Sequence, residues 1–134
     1  MNPLAVESAF RSALAASAFP TTQIYTGTDY EELTPESLNL IVSVASFSTV
    51  GPGLYTAVAT VRVTSPALLG ADSYTEFSGV LDTLKNAVTQ SYLLAHWPTS
   101  DAPNFCGSYL ENITTGRDQH CWTAELTLTM GVMD

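Results

Sequence analysis

Apolar residues between Ser73 and Tyr92 recur with the period of an α-helix. At about 100° per residue, one side of this stretch is apolar or aromatic and the other is polar. The apolar side consists of Tyr74, Phe77, Val80, Leu81, Leu84, Val88 and Tyr92. Ser73 and Glu76 have the spacing of a capping box. The next two leucines would fall on the polar side, so the pattern predicts an amphipathic helix that ends or bends near Tyr92.

Alternating apolar and polar residues predict two long strands before this helix. The strand candidates are Leu38–Phe47 and Tyr55–Thr64. Ser48–Gly53, which contains Gly-Pro-Gly, is the expected connecting loop, and Pro66 marks the end of the second strand because proline breaks ladder pairing. The pair is expected to form an antiparallel hairpin with one buried face.

The C-terminal part of the chain predicts a second hairpin. Its last strand, His120–Val132, has the cleanest period of two in the chain. The preceding strand candidate is Phe105–Ile113, and Thr115–Asp118 carries the turn signal. A further short strand is predicted at Gln23–Thr26. The apolar face of the last strand consists of Trp122, Ala124, Leu126, Leu128, Met130 and Val132.

A first helix is predicted from Pro3 to about Ala18, with Asn2 as its cap and Glu7 paired with Arg11. The order is helix, short strand, hairpin, helix, hairpin. We therefore predict one α+β domain over 1–134, with a mainly antiparallel sheet of about four to five strands packed against an N-terminal and a long central helix. The predicted core residues are Phe77, Leu81, Leu84, Val88, Trp122, Leu126 and Leu128.

Composition narrows the class of protein. The chain has 134 residues, a net charge of −9 and only 13% charged residues. Such a surface repels phosphate backbones, which argues against sequence-specific nucleic-acid binding. The sequence shows no apolar run that predicts a membrane span and no pattern of a secretory signal, so we expect synthesis in the cytoplasm. A Ser/Thr-rich surface with few charges suits broad contact with other protein subunits.

The sequence predicts neither a metal site nor an enzyme. The cysteines and histidines are Cys106, Cys121, His96 and His120, and they lack the close pairs of a zinc site. A turn centred between Thr115 and Gly116 would place the two cysteines out of register, so we expect two reduced thiols and no cofactor. No nucleophile–base pair or paired carboxylates can be identified.

Four acidic residues cluster between Gly27 and Ser37. They do not have the spacing of a calcium loop. A solvated loop is one interpretation, and an acidic face that lines a channel or an interface is the other. The residues are Asp29, Glu31, Glu32 and Glu36.

The order of elements resembles the tail terminator (tail-completion) proteins of long-tailed bacteriophages. The resemblance covers nearly the whole chain and rests on the strand that ends in Thr60–Pro66, the amphipathic helix after it, and the final strand entered through Trp122–Leu126. It implies a ring of six copies that caps the tail tube, stops its growth and joins the tail to the connector of the head. The implied partners are further copies, the tail tube protein and the head connector or stopper protein, with DNA only as passing cargo. The implied location is the neck of the virion, after assembly in the host cytoplasm.

Other functions remain open at this stage. The same features suit another neck protein, such as a head-completion or stopper protein, or a tail tube subunit. A small monomeric ligand-binding domain is a more distant alternative. In the ring interpretation, the predicted loops Gly27–Ser37 and Ser48–Gly53 contact neighbouring subunits or the adjoining ring. Val50 and Pro52 then join the acidic cluster as candidate interface or channel-facing residues.

Overall fold

The protein is an α+β domain with three helices and a five-stranded mixed sheet among the residues described. The computed structural model describes residues 2–15, 19, 24–26, 38–66, 71–117 and 121–134. The elements are α1 (Pro3–Ala15), β1 (Ile24–Thr26), β2 (Asn39–Gly51), β3 (Leu54–Pro66), α2 (Ala71–Ala87), α3 (Gln90–His96), β4 (Asn104–Arg117) and β5 (Cys121–Met133). None of the helices in these ranges is long and apolar enough to cross a membrane.

The strands lie in the order β1-β2-β3-β5-β4. The pairs β2–β3, β3–β5 and β4–β5 are antiparallel, whereas β1 runs parallel to β2 over three residues. The prediction of a mainly antiparallel sheet is therefore correct for the long strands, and the parallel β1 makes the sheet mixed. The last strand in the chain, β5, lies between β3 and β4.

One face of the sheet and all three helices share a single apolar core. Val61, Leu126 and Leu128 from the sheet are fully buried, together with Phe10 from α1 and Leu84 from α2. Each fully buried aliphatic or aromatic side chain contributes about 1.5–3 kcal/mol to folding. Among the predicted core residues, Phe77, Leu84, Val88, Leu126 and Leu128 are buried, and Leu81 and Trp122 are partly buried against the same cluster.

The predicted central helix is divided in two, so the expectation of one helix up to Tyr92 is wrong. α2 ends at Ala87 and α3 begins at Gln90. Thr89 has an extended backbone, and its hydroxyl accepts a hydrogen bond from the backbone N–H of Tyr92 at 3.3 Å, as an N-cap does. The predicted capping box also fails, because α2 begins at Ala71, two residues before Ser73.

Both predicted hairpin connections are too long. β2 continues to Gly51, so most of the Ser48–Gly53 loop is strand, with a two-residue turn after it. β4 continues to Arg117 and includes most of the Thr115–Asp118 turn. Ser, Thr and Gly are common in loops, but here each extension is paired with a neighbouring strand, and that pairing determines the structure.

α1 is anchored to the sheet by polar contacts that differ from the predicted Glu7–Arg11 pairing. Asn2 caps the helix, since its Oδ1 accepts from the N–H of Ala5 at 3.0 Å. Glu7 is buried, and its Oε1 accepts from the N–H of Val44 in β2 at 3.0 Å. The Arg11 Nε–H donates to the carbonyl of Ile24 in β1 at 2.9 Å. The two side chains thus hold α1 against the β1–β2 edge of the sheet.

Candidate functional site

The turn between β2 and β3 is a two-residue turn formed by Pro52 and Gly53. Proline fixes the φ that the first central position needs, and Gly53 has a φ of +68°, as the second central position of a type II turn requires. Any side chain at Gly53 would be strained by this backbone conformation. The sequence Gly-Pro-Gly therefore produces a tight turn at this end of the sheet instead of a loop.

Exposed apolar side chains surround this turn. Val50 is 59% exposed, Leu54 is 37% exposed and Met133 is 43% exposed, and Pro52 is also exposed. Leu54 pairs with Gly51 on one side and with Met133 on the other, so these side chains lie at the same end of adjacent strands. We call Val50, Pro52, Leu54 and Met133 the hairpin-tip patch. Contiguous exposed apolar residues of this kind mark interaction sites.

Hydrogen bonds with Asp134 hold the hairpin tip in place. The Asp134 N–H donates to the carbonyl of Gly53 at 3.0 Å, and the Tyr55 hydroxyl donates to Asp134 Oδ2 at 3.2 Å. Asn104 Nδ2 donates to the Asp134 carbonyl at 3.3 Å. The Tyr55 ring stacks on Phe47 with centroids 5.0 Å apart. The patch is thus presented by a rigid support, which lowers the entropy lost on binding.

The charge of Asp134 raises the pKa of Tyr55 above its ordinary value of 10.0, and partial desolvation and the hydrogen bond raise it further. A raised pKa means that the Tyr55 hydroxyl keeps its proton, and therefore its donor role, throughout the neutral range. The phenol acts here as a structural donor, and its raised pKa is the opposite of what a nucleophile or base would need.

The face of the sheet away from the helices carries rows of hydroxyl groups. Thr60 of β3 lies opposite Thr127 of β5, and the Ser43 Oγ of β2 is 2.7 Å from the Thr60 Oγ1. Arg62 and Glu125 lie opposite each other in the next row and form a salt bridge of 3.2 Å. We call this surface the outer sheet face. Its threonines in β3 and β5 are Thr56, Thr60, Thr64, Thr123, Thr127 and Thr129.

The cavities lined by described residues are shallow, and a third of about 270 Å³, lined by Ala5, Pro103 and Asp134 among others, accompanies the two larger ones. One, of about 400 Å³, lies between α1 and the segment after α3 and is lined by small residues such as Ser8, Ser12 and Ala102. The other, of about 440 Å³, lies on the outer sheet face beside Arg62 and Thr123. The lining of these three cavities includes no His, Cys or Lys.

The two cysteines, for which the sequence predicts reduced thiols, lie at opposite ends of β5. Cys106 lies beside Gly131 at one end of β5, and Cys121 lies across from Pro66 at the other end. The expected register was wrong, since β4 pairs with β5 as far as Arg117 and Trp122, and the two cysteines are not joined. His96 stacks on Tyr92, and His120 lies outside the described residues. Within the described ranges, no three His, Cys, Asp or Glu side chains form a group that could hold a metal ion.

Of the predicted interface or channel-facing residues, only Val50 and Pro52 lie within the described residues. Val50 and Pro52 are exposed at the hairpin tip, as elements of a surface patch and not of a long loop. Leu54 and Met133 were missed, because they join Val50 only through strand pairing: Leu54 pairs with Gly51 across the β2–β3 hairpin, and Met133 pairs with Leu54. The acidic cluster lies outside the described residues; it consists of Asp29, Glu31, Glu32 and Glu36.

No protein-family model matches the chain, and no curated protein matches it.

Proposed function

We propose that this protein is a structural subunit of the virion of a long-tailed bacteriophage. In this proposal, a ring of six copies caps the tail tube, ends its polymerisation and joins the tail to the head connector. The observation that carries the proposal is the hairpin-tip patch. It is a rigid apolar surface at one end of the strands, where a component stacked on the subunit would bind.

The patch supports contact with another protein because its side chains are apolar and held in place. Val50 and Leu54 project from the two strands of one hairpin, and Asp134 ties that hairpin to β5. Burying such residues against a partner releases water at little entropic cost. The tail tube on one side or the head connector on the other is the partner that the proposed ring needs.

The outer sheet face supports a role beside passing DNA. Its hydroxyl groups are uncharged, and its Arg62 and Glu125 neutralise each other across one row. Together with a net charge of −9, such a surface does not retain a polyanion. DNA would therefore be cargo and not a ligand. The acidic residues between Gly27 and Ser37 would add to this repulsion.

Loss of the protein tests the proposal directly. We expect that deleting its coding sequence from the virus that encodes it produces detached heads and tail tubes of uncontrolled length, seen by electron microscopy. Tails of normal length that fail to attach to heads would indicate a connector or stopper role. Absence of any tube would indicate a tube subunit. Normal numbers of complete virions would contradict a structural role in the neck.

The patch is tested by complementing that deletion with single variants. Leu54→Glu should lower the yield of complete virions at least about tenfold, since an unpaired carboxylate in an interface costs well over 1.4 kcal/mol. Leu94→Glu is the matched control, because Leu94 is 62% exposed on α3 and is not part of the hairpin-tip patch. Equal yields from the two variants would show that the patch has no part in assembly.

A further inference from the structure

We propose that the aromatic cluster around Trp122 binds a segment of another protein that presents a carboxylate beside an apolar side chain, with Arg117 as the donor to the carboxylate. The cluster consists of Tyr74 and Phe77 of α2, Arg117 of β4 and Trp122 of β5, and we call it the Trp122 cluster. Trp122 and Met133 lie near opposite ends of β5, about 37 Å apart at about 3.4 Å per residue, so this cluster is separate from the hairpin-tip patch. The inference goes beyond the proposed function and does not depend on it.

The Trp122 ring is held in place by contacts within the fold. Its Nε1–H donates to the Oγ of Ser73, a buried residue, at 3.3 Å. The buried Phe77 stacks on the ring with the centroids 5.8 Å apart and the planes 18° apart. Trp122 itself is half-buried. A ring fixed in this way loses little entropy when a partner covers its exposed part.

The guanidinium group of Arg117 lies over this ring. Its Cζ is 4.7 Å from the ring centroid, which is the distance of a cation–π contact. A guanidinium stacked on an aromatic ring keeps its N–H groups at its edge, where an acceptor can reach them. Arg117 is exposed, and among the described residues its side chain has neither a salt bridge nor a hydrogen-bond acceptor. Its donors are therefore oriented by Trp122 without being used by the described fold.

The other three basic residues have different surroundings. Arg11 donates to a carbonyl of β1, and Arg62 forms its salt bridge with Glu125. Lys85 lies in the last turn of α2, where a cation offsets the partial negative charge of a helix C-terminus. Arg117 is thus the arginine whose donors the described part of the protein leaves for another molecule.

Tyr74 provides apolar contact area beside this cation. It lies on the apolar side of α2, yet it is 56% exposed. Its ring meets that of Trp122 edge to face, with the centroids 5.1 Å apart and the planes at 69°. Tyr, Trp and Arg dominate the binding energy of many protein interfaces, because each combines a large apolar surface with a polar group. An apolar side chain of the partner is expected to cover Tyr74.

Charge selects the kind of partner. The net charge of −9 repels a nucleic-acid backbone, and it also repels a second copy of the same charge. One carboxylate on a peptide avoids most of that repulsion and matches two parallel N–H groups of a guanidinium. The exposed ring of Tyr74 further favours a ligand with an apolar part. These properties together indicate a protein segment with an acidic residue next to an apolar one.

Nuclear magnetic resonance with the probe acetyl-Leu-Glu-amide tests the site. The Nε–H signal of Arg117 and the indole N–H signal of Trp122 report on the cluster. The indole N–H of Trp97 is the internal reference, because it is buried and donates to the Pro103 carbonyl. We expect saturable shifts of the first two signals with a dissociation constant of roughly 1–10 mM, the range of so small a ligand. Acetyl-Leu-Gln-amide should bind at least about fivefold more weakly, because it lacks the charge. Equal binding of the two probes would overturn the inference.

Arg117→Gln is compared with Lys85→Gln, which removes the same charge from an exposed position of α2 outside the cluster. Arg117→Gln should weaken binding of acetyl-Leu-Glu-amide at least about fivefold and Lys85→Gln less than about twofold, since a distant exposed charge is screened. Arg117→Lys keeps the charge without the planar fork, and its affinity should lie between those of the parent protein and Arg117→Gln. The Trp97 signal must stay unchanged in all three variants. Equal losses for Arg117→Gln and Lys85→Gln would mean that net charge and not this site controls binding.

Two further titrations examine the other possible occupants. Tighter binding of a thymidine tetranucleotide than of acetyl-Leu-Glu-amide would assign the cluster to nucleic acid. Movement of the Arg117 signal on raising the concentration of the protein alone would assign it to a second copy. Either result would overturn the inference. None of these outcomes changes the proposed function, which the deletion experiment decides separately.

Discussion

Glu7 is a charged residue of α1, and its side chain points towards the sheet. It is only 7% exposed, and its Oε1 accepts from the N–H of Val44 where β1 has ended. The carboxylate thus takes the ladder position that a longer β1 would have filled. Its Oε2 has no hydrogen-bond partner in the described part of the protein. The hydrogen bond that Oε1 accepts is therefore the main contact of this side chain. The negative charge of the carboxylate has little compensation.

We expect Glu7→Ala to lower the free energy of unfolding by about 1–3 kcal/mol, because it leaves a buried N–H of β2 unpaired. Glu7→Gln is the matched control, since its amide oxygen can still accept from Val44, and its loss should be less than half as large. Urea unfolding followed by circular dichroism measures both. A larger loss for Gln than for Ala would mean that the negative charge stabilises the fold.

Periodicity predicts which residues are buried better than which polar groups they contact. The alternation around Leu126 and Leu128 reflects burial on one face, which the sequence alone reveals. The sequence pattern paired Glu7 with Arg11, because a helix pattern does not show that a neighbouring strand ends early. For the same reason, only Val50 and Pro52 of the hairpin-tip patch were named from the sequence. Val50 and Pro52 are separated by one residue in the sequence, whereas Met133 joins them only through strand register.

At the scale of elements, the chain uses polar residues to end and restart its helices. Val88 still fits the apolar side of the predicted helix, and it is buried, so periodicity continues across the break. The break is local: the Thr89 hydroxyl donates to the Asn86 carbonyl at 3.0 Å and accepts from the Tyr92 N–H. A hydroxyl at a helix N-terminus competes with the backbone in this way. Sequence periodicity could not detect this break between α2 and α3.

Thr89→Ala should lower the free energy of unfolding by about 1 kcal/mol, the usual loss for an N-cap. Thr83→Ala is the control. Thr83 is exposed inside α2, where its hydroxyl donates to the Gly79 carbonyl and alanine has the higher helix propensity. Thr83→Ala should leave the free energy of unfolding unchanged or raise it slightly. If thermal unfolding showed equal losses for both variants, Thr89 would not act as a cap.

The long strands were predicted more reliably than their connections. β3 and β5 alternate cleanly because each has one face in the core and one outside. The parallel β1 covers only Ile24–Thr26, and three residues hold too little pattern to reveal a partner or a direction. The extension of β4 through Thr115 and Gly116 depends on pairing with β5, which a local turn signal cannot anticipate.

At the scale of the whole molecule, charge is unevenly distributed. The chain has 13 acidic and 4 basic residues, yet the β2–β3 hairpin is uncharged up to Arg62. Long-range repulsion between copies is thus combined with a stretch, from Ser37 to Val61, that carries no charge of its own. Salt shortens the range of the repulsion and leaves contacts between uncharged residues unchanged.

Self-association should therefore become stronger with salt. Between about 0.02 M and about 0.2 M NaCl we expect the dissociation constant between copies to fall by roughly threefold to tenfold, because the Debye length shortens from about 20 to about 7 Å. Sedimentation equilibrium gives this constant. KCl should have the same effect as NaCl, which separates screening from binding of a specific ion. Dissociation on adding salt would show that opposite charges hold the copies together.

The position of β5 in the middle of the sheet has a consequence for synthesis. The β2–β3 hairpin can form as soon as it leaves the ribosome, but Leu54–Pro66 pairs on its other side with the last strand in chain order. Closing so distant a contact is slow, since the chain entropy is lost before the pairing is gained. Until then the nascent hairpin exposes both edges, with Arg62 as its one charged residue to keep other chains away. The rate at which β5 docks, more than the stability of the finished domain, thus sets how much newly made protein escapes aggregation.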